Sequence, residues 1–314
     1  VGISEDDKLK LVDYNDLLAG NAAYKKGVRD KIAVIYAQGP ILFGDGNETQ
    51  IGDQVFVEAI EEAVKSKRVK AIVLRVNSPG GSAMISDILW NALEDAKKEK
   101  PLVVSMGNVA ASGGYYIACN ADTIFADPMT VTGSIGVFAT IPNVKGFTDD
   151  IGINAEHVMT HKNAVGYSPF EPISPGFRKS ALEGIEHVYE TFKQRVADGR
   201  NLSLEEVEIL AQGRVWTGLQ AKENGLVDAL GGLDAAIEAA AELAEIEEYN
   251  LTSYPKVETD FDDIFALMSP FAAIETKIKS ALPREFSAFI EASTSEENQA
   301  LQIQARIPFS LDIK

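Results

Sequence analysis

A chain of 314 residues with 46% hydrophobic and 24% charged residues has the composition of a folded protein with a sizeable core, as one large domain or two small ones. Its net charge of −18 argues against nucleic acid as a partner, because the phosphates would be repelled. The single cysteine, Cys119, excludes an internal disulfide and is predicted to be a small core residue. The sequence contains no apolar run of about 20 residues that could span a bilayer. It also has no His-Glu-x-x-His motif and no Walker loop, so no metal and no other cofactor is expected.

Apolar runs alternate with amphipathic segments along most of the chain. They predict strands over 31–37, 69–76, 101–107 and 123–126, and helices over 51–66, 83–98, 112–119, 175–198, 201–211 and 233–246. Strands that alternate with helices predict an α/β fold of stacked β-α units, with a mainly parallel sheet and right-handed crossovers.

Changes in character along the chain suggest three parts. Residues 1–30 are predicted to be an N-terminal extension, residues 31–248 the main folded domain, and residues 249–314 a helical and extended C-terminal tail that could serve oligomerisation. Within the tail, 303–309 is predicted to be extended, as an edge strand or an oligomer strand. The chain begins at Val1 without a methionine, which suggests a processed or truncated product.

A small-residue segment follows the predicted strand 101–107. In Ala110-Ala111-Ser112-Gly113-Gly114, a backbone can turn sharply and open into a helix. A serine at such a strand-to-helix turn would expose its hydroxyl as a nucleophile elbow does, although the residues do not match G-x-S-x-G. Helix packing is the alternative explanation for these small residues.

A second turn follows the predicted strand 69–76. Its residues are Ser78-Pro79-Gly80-Gly81-Ser82, in which the glycines allow a positive φ or close approach to a ligand, and Ser82 is a suitable N-cap for the next helix. The amides of Gly81 and Gly113 could together form an oxyanion hole in front of Ser112. A plain loop is the alternative.

Three motifs in order resemble the signal peptide peptidase A family: Val-Asn-Ser-Pro-Gly-Gly-Ser at 76–82, Ala-Ala-Ser-Gly-Gly-Tyr at 110–115 and Thr-Gly-Ser-Ile-Gly-Val at 132–137. The resemblance continues through 213–218, Ala221 and 225–231, and covers about residues 30–240. It implies a ClpP/crotonase-like fold and a serine peptidase with a Ser–Lys dyad. The long form of this family has two homologous halves, and this chain is similar to the second half, which carries the serine.

The general base is the open part of this interpretation. Lys162 lies close to the position of the family's dyad lysine, but alignment of Ser168-Pro169-Phe170 with the short family form puts Ala164 there instead. The base is therefore Lys162, or a lysine from an absent N-terminal half or a neighbouring subunit. A Ser-His-Asp triad is the alternative, although His157, His161 and His187 show no carboxylate partner nearby in sequence.

The resemblance also assigns Ser134 the role of holding the lysine amine, with a simple turn serine as the alternative. It implies cleavage of signal-peptide remnants and other short apolar peptides, a homo-oligomeric ring, and a place at the outer face of a bacterial inner membrane. Membrane proximity would come from a segment outside this chain, which is itself expected to be soluble. Two alternatives are a crotonase-type acyl-CoA hydratase or isomerase, and a half-enzyme that is idle without its partner.

Overall fold

The computed structural model of the protein describes residues 25, 27–47, 49–161, 164, 166–256 and 303–306. The strands are β1 (Lys31–Gln38), β2 (Val69–Ser78), β3 (Gly80–Ser82), β4 (Leu102–Ala111), β5 (Thr123–Ala126), β6 (Val131–Gly133), β7 (Phe138–Ala139), β8 (Val215–Thr217), β9 (Ala229–Leu230), β10 (Asn250–Tyr254) and β11 (Ile303–Arg306). The helices are α1 (Gln54–Lys65), α2 (Ala83–Glu99), α3 (Gly113–Tyr116), α4 (Lys145–Asp150), α5 (Pro175–Arg200), α6 (Leu204–Leu210), α7 (Gly218–Glu223) and α8 (Leu233–Leu243).

The main sheet has eight strands and confirms the predicted α/β class. Its path is β10-β1-β2-β4-β5-β9, and β6 pairs with both β4 and β8. Every pair of neighbouring strands along this path is parallel, and in this sheet only the pairing of β6 with β8 is antiparallel. In open parallel sheets ligands bind beyond the carboxyl ends of the strands, which is where β2 and β4 lead into the two predicted turns.

Both faces of the sheet are covered by helices. Ile35, Leu74 and Val104 belong to a large core cluster that includes Phe56 of α1 and Leu89 of α2. Alternate strand residues point to the other face and pack with α8 in a second cluster. Burial on both faces explains why the strands read as continuous apolar runs.

The end of β4 differs from the prediction. The strand continues to Ala111 instead of ending at residue 107, and the helix that follows spans only Gly113–Tyr116 instead of 112–119. The ladder continues because Ala110 and Ala111 pair with Thr132 and Gly133 of β6. Cys119 is fully buried, as predicted, and burial raises the pKa of its thiol to about 12.

The segment 303–309 was predicted to be an edge or oligomer strand, and the edge position is wrong. Over Ile303–Arg306 it is the middle strand of a three-stranded sheet, between β3 and β7 of the same chain. Residues 307–309 lie outside the described residues, as do most of 1–30 and 249–314. Within the described part of the chain, none of the helices is both long and apolar enough to cross a bilayer.

Candidate active site

Ser112 occupies a strained turn between β4 and α3. Its backbone has φ 55° and ψ −118°, a conformation that costs a non-glycine residue about 1–3 kcal/mol. The surroundings hold it on both sides: its N–H donates to the Gly133 carbonyl at 2.8 Å, and its carbonyl accepts from Tyr116 N–H at 2.8 Å. This is the strand-turn-helix geometry of a nucleophile elbow.

The Ser112 hydroxyl is not exposed, contrary to the sequence-based expectation. The residue has no accessible surface, and its Oγ is buried without a hydrogen-bond partner among the described residues. The physical reason is that residues 110–121 are all buried, so the turn lies inside the packed body of the protein. Leaving a buried hydroxyl unpaired costs about 1–3 kcal/mol, and such a group needs an explanation in a native fold.

Ser134 lies beside Ser112. The parallel register of β4 and β6 pairs Ala111 with Gly133, the last residue of each strand. Ser112 and Ser134 follow these two residues and therefore lie at the same edge of the sheet. Ser134 also has a left-handed backbone, with φ 49°, and it is 2% exposed. Its N–H donates to the Arg214 carbonyl at 2.7 Å, which fixes the turn after β6.

The Gly80–Gly81 turn is clamped by Ile41. The Ile41 N–H donates to the Gly80 carbonyl at 3.0 Å, and Ser82 N–H donates to the Ile41 carbonyl at 2.7 Å. Gly81 has φ 156°, and a Cβ there would lie 1.9 Å from the Ile41 carbonyl oxygen. Only glycine therefore fits this position without a backbone shift. The predicted N-cap is confirmed, because Ser82 Oγ accepts from Ile85 N–H at 3.4 Å.

The two turns meet at one edge of the sheet. Ser78 pairs with Ala110, and a Cβ on Gly114 would lie 2.6 Å from the Ser78 carbonyl oxygen. The structure thus brings Ser112, Ser134 and the Gly81 and Gly113 backbones to the same region, where an attacking oxygen and paired amides could act on one carbonyl.

The described residues do not identify the general base. Lys162 lies outside the described residues. His157 does have a carboxylate partner, Glu171 Oε1 at 3.3 Å from its Nδ1, which sequence proximity did not indicate. However, no histidine of the described residues hydrogen-bonds to Ser112 Oγ, so the structure gives no support to a triad.

Lys193 is the most buried lysine side chain among the described ion pairs, at 10% exposure, and its electrostatics do not suit a base. Hydrogen bonds with Glu190 and then Glu208 raise its pKa, whereas a lysine that accepts a proton near neutral pH needs a lowered pKa.

Two cavities flank the site. One of about 450 Å³ lies against Ser82 and the start of α2 and is lined mainly by apolar side chains, among them Phe43, Met84 and Ile88. The other, of about 460 Å³, includes Ser134 and Phe138 in its lining. A larger cavity of about 570 Å³ lies between 157–173 and the start of α5, and its described lining includes His157 but not Gly81, Gly113, Ser112 or Ser134.

Sequence reasoning missed the residues that hold the site in place. Ile41 lies between the predicted strand 31–37 and the predicted helix 51–66, and Gly133 belongs to the 132–137 motif without a role of its own there. Their roles depend on carbonyl groups, and side-chain identity gives no signal for those. β7 is too short to be predicted from periodicity.

The profile of Peptidase family S49 matches residues 94–247. Protease 4 of Haemophilus influenzae is 38% identical over 85% of the chain, a signal peptide peptidase named as putative in Enterococcus faecium is 33% identical over 68%, and a putative protease of Methanocaldococcus jannaschii is 31% identical over 72%. The chain spans 44% of the length of the Haemophilus protein, 62% of the Enterococcus protein and 74% of the Methanocaldococcus protein. The turns described above and these similarities agree: the chain belongs to peptidase family S49, the signal peptide peptidase A family.

Proposed function

We propose that this chain carries the nucleophilic half of a serine peptidase site, with Ser112 forming the acyl-enzyme. The observation that carries the proposal is the left-handed Ser112 turn, bonded to Gly133 and placed beside Ser134 in a chain of family S49. A positioned serine hydroxyl attacks a peptide carbonyl once a base takes its proton.

The oxyanion would be stabilised by the amides of Gly81 and Gly113. Gly81 is held open by the Ile41 clamp, and Gly113 is the first residue of α3, where helix N–H groups have no intrahelical acceptor. Each such donor typically contributes about two to three powers of ten in rate.

A lysine would act as general base and then as general acid, with Ser134 holding its amine. Lys162 is one candidate, and a lysine from an N-terminal half or another subunit is the other. The length comparison supports the second possibility, because the chain spans less than half of the Haemophilus relative.

The substrate would be a short apolar peptide in extended form, such as a signal-peptide remnant. An extended peptide that took the place of β11 would pair antiparallel with β3 and β7. The apolar cavity beside Ser82 could receive a side chain from it. We place this activity in residues 31–248, within a homo-oligomeric ring at the outer face of a bacterial inner membrane.

The test is hydrolysis of a fluorogenic apolar peptide by the chain and by Ser112→Ala, Lys162→Ala and Lys145→Ala variants. Lys145 is a control, because it lies on the exposed helix α4 and pairs there with Asp149. A self-contained dyad predicts that Ser112→Ala and Lys162→Ala lose activity and that Lys145→Ala keeps it.

Two other results are informative. Loss with Ser112→Ala alone would exclude Lys162 as the base and place the base elsewhere in the assembly. Hydrolysis that survives Ser112→Ala would overturn the proposal. The crotonase alternative is not favoured, because the matched family and the relatives compared are named as peptidases or proteases.

A further inference from the structure

The carboxyl ends of β1, β2 and β4 form a polar cleft on the face of the sheet that carries α8. Ile32 and Val34 of β1 pack with α8 in the second cluster, and alternate residues of a strand share one face. Tyr36 and Gln38 therefore continue this face beyond the cluster, where Tyr36 is 41% exposed. The cleft has a volume of about 200 Å³, and its described lining consists of Tyr36, Gln38, Arg75, Asn77, Gly107 and Asn108. In open parallel sheets the carboxyl ends of the strands are where ligands bind.

Arg75 is held in the middle of this cleft. The strand register places it between Tyr36 of β1 and Ser105 of β4. Its Nη1 donates to Ser105 Oγ and to the Met106 carbonyl, both at 2.8 Å. These two bonds use both hydrogens of Nη1, and among the described residues the N–H groups on Nε and Nη2 have no acceptor. The protein thus fixes the guanidinium by one nitrogen and leaves the Nε–Nη2 edge for an anion with two oxygens.

The charge in the cleft is not balanced. Its described lining contains one arginine and no carboxylate, and both acceptors of Arg75 are neutral oxygens. A half-buried guanidinium attracts an anion more strongly than an exposed one does, because less water screens the pair. The chain as a whole carries a charge of −18, which disfavours a large polyanion as the ligand and leaves a small anion.

Two carboxamides beside Arg75 narrow the class of anion. Asn77 Oδ1 accepts from Val109 N–H at 3.2 Å, which orients this amide and leaves its N–H groups without an acceptor among the described residues. Gly107 keeps the space beside it open, because a Cβ there would lie 3.0 Å from Asn77 Oδ1. Asn108 is exposed, and its side chain makes no hydrogen bond to the described residues. Carboxamides pair with the N–H and C=O groups of a peptide unit, so the cleft matches a planar carboxylate with a peptide unit next to it.

We propose that the cleft around Arg75 binds the C-terminal carboxylate of a short peptide. The Nε–Nη2 edge holds the two carboxylate oxygens, and Asn77 and Asn108 bond to the last peptide unit. The described lining includes neither glycine of the proposed oxyanion hole and neither of the two site serines, so the cleft is a second site. Peptide hydrolysis creates such carboxylates; a role in holding product therefore rests on the proposed function, whereas the binding itself does not.

The test measures the binding of N-acetylalanine, which combines one peptide unit with a free carboxylate. Saturation-transfer NMR with the full chain gives its dissociation constant, for which a ligand of this size leads us to expect about 1–10 mM. N-acetylalaninamide is the control ligand, because it keeps the peptide unit and lacks the charge. We expect the amide to bind at least about tenfold more weakly, since a hydrogen bond between charged groups is replaced by one to a neutral group.

Arg75→Lys is the first variant, because it keeps the positive charge and removes the two-pronged edge. We expect N-acetylalanine to bind about tenfold more weakly to it. Arg68→Lys is the matched control: Arg68 is exposed just before the other end of β2, and its replacement should leave the affinity unchanged. Asn108→Ala is the second variant, with an expected loss of about threefold. It decides the test if thermal unfolding shows that Arg75→Lys does not fold.

Three results would overturn the inference. They are equal affinities for the acid and the amide, an unchanged affinity in the folded variants, and no saturable binding of N-acetylalanine. Inorganic phosphate is the competitor, and tighter binding of phosphate than of N-acetylalanine would overturn the assignment to a carboxylate. Failure of the proposed function shows separately, as hydrolysis that survives Ser112→Ala, and it leaves the binding difference between acid and amide unaffected.

Discussion

Two segments of nearly equal length contribute to the proposed site in opposite ways. Residues 110–121, which carry Ser112, are all buried, and residues 151–161, which lead to Lys162, are all exposed. The first segment is fixed by a strand ladder on β6 and by packing under α2, whereas 153–159 forms neither helix nor strand. Ile153 and Val158 of the second segment are 52% and 98% exposed, although both are apolar.

The difference teaches which half of the proposed dyad the fold builds by itself. Burial and backbone hydrogen bonds fix the turns that carry Ser112, Gly81 and Gly113 to within a narrow geometry. An exposed segment has no comparable restraint, so the base would be positioned only when something packs against that segment. A catalytic lysine needs burial to lower its pKa, and the arm formed by α4 and residues 151–161 is largely exposed.

Hydrogen exchange should show the largest contrast. We expect amides of 103–106 in β4 to exchange through global unfolding, and amides of 154–159 to exchange close to the unprotected rate. With a stability of about 5–15 kcal/mol, protection of β4 should exceed that of 154–159 by at least about 10³-fold. Mass spectrometry of exchanged peptides measures both. Comparable protection of the two segments would mean that the arm is packed, which would contradict the contrast between a fixed Ser112 segment and an unrestrained arm.

Substitution of Gly81 tests the rigidity of the turn that Ile41 holds. In Gly81→Ala the new Cβ would meet the Ile41 carbonyl, so the backbone must shift and the oxyanion amide with it. We expect kcat/KM to fall by about 10²–10³-fold and the melting temperature to fall by several degrees.

Gly146→Ala is the matched control for this substitution. Gly146 lies on the exposed helix α4, and a Cβ added there would have no other atom within 4 Å, so activity should stay constant and stability should not decrease. If Gly81→Ala behaves like Gly146→Ala, the Ile41 clamp does not define the turn.

The sequence predicted much of this site because its signals are local. The apolar runs identify the parallel strands, and glycine-rich turns at their carboxyl ends place Gly81, Ser112 and Ser134 near one another. The long helix with Pro175 in its first turn is also confirmed, and its N-cap is Ser174.

The features that could not be predicted depend on contacts distant in sequence. The burial of the Ser112 hydroxyl, the Ile41 clamp and the position of β11 between β3 and β7 join residues separated by many positions. The partner of His157 is of the same kind, because Glu171 meets it only in the folded arm. Periodicity and motif spacing contain no information on such pairs.

Ser134→Ala tests whether the buried second serine takes part in chemistry. Removing a hydroxyl that bonds to a charged amine costs about 1.5–3 kcal/mol, so we expect kcat to fall about tenfold to a hundredfold with little change in KM. Ser168→Ala is the control, because among the described residues the Ser168 Oγ accepts one hydrogen bond, from the exposed Phe170 N–H. Peptide hydrolysis across the pH range separates a role in holding the lysine amine from a role in the turn alone. If Ser134 holds the amine, Ser134→Ala shifts the pH profile of hydrolysis. If Ser134 only stabilises the turn, the variant is less stable and its pH profile is unchanged.

A smaller effect concerns the ion cluster between α5 and α6. Hydrogen bonds, first from Lys193 and then from Gln212, lower the pKa of Glu208 below its ordinary value of 4.5. A carboxyl with a lowered pKa stabilises the folded state above its ordinary value, and this contribution disappears as pH falls through the folded value. Glu208→Gln should therefore lower the melting temperature by about 1–3 °C at pH 7 and by less below about pH 4, because Glu208 is partly exposed.

Asp149→Asn provides the comparison on the arm. Asp149 pairs with Lys145 at 2.9 Å on the exposed face of α4, and such a surface pair contributes about 0.3–0.5 kcal/mol. Its loss should change the melting temperature by less than about 1 °C, as measured by thermal unfolding at pH 7. A larger effect for Asp149→Asn than for Glu208→Gln would place more of the folding free energy in the arm than in the cluster that borders the Ser134 cavity. The arm would then be restrained enough to hold a base within this chain.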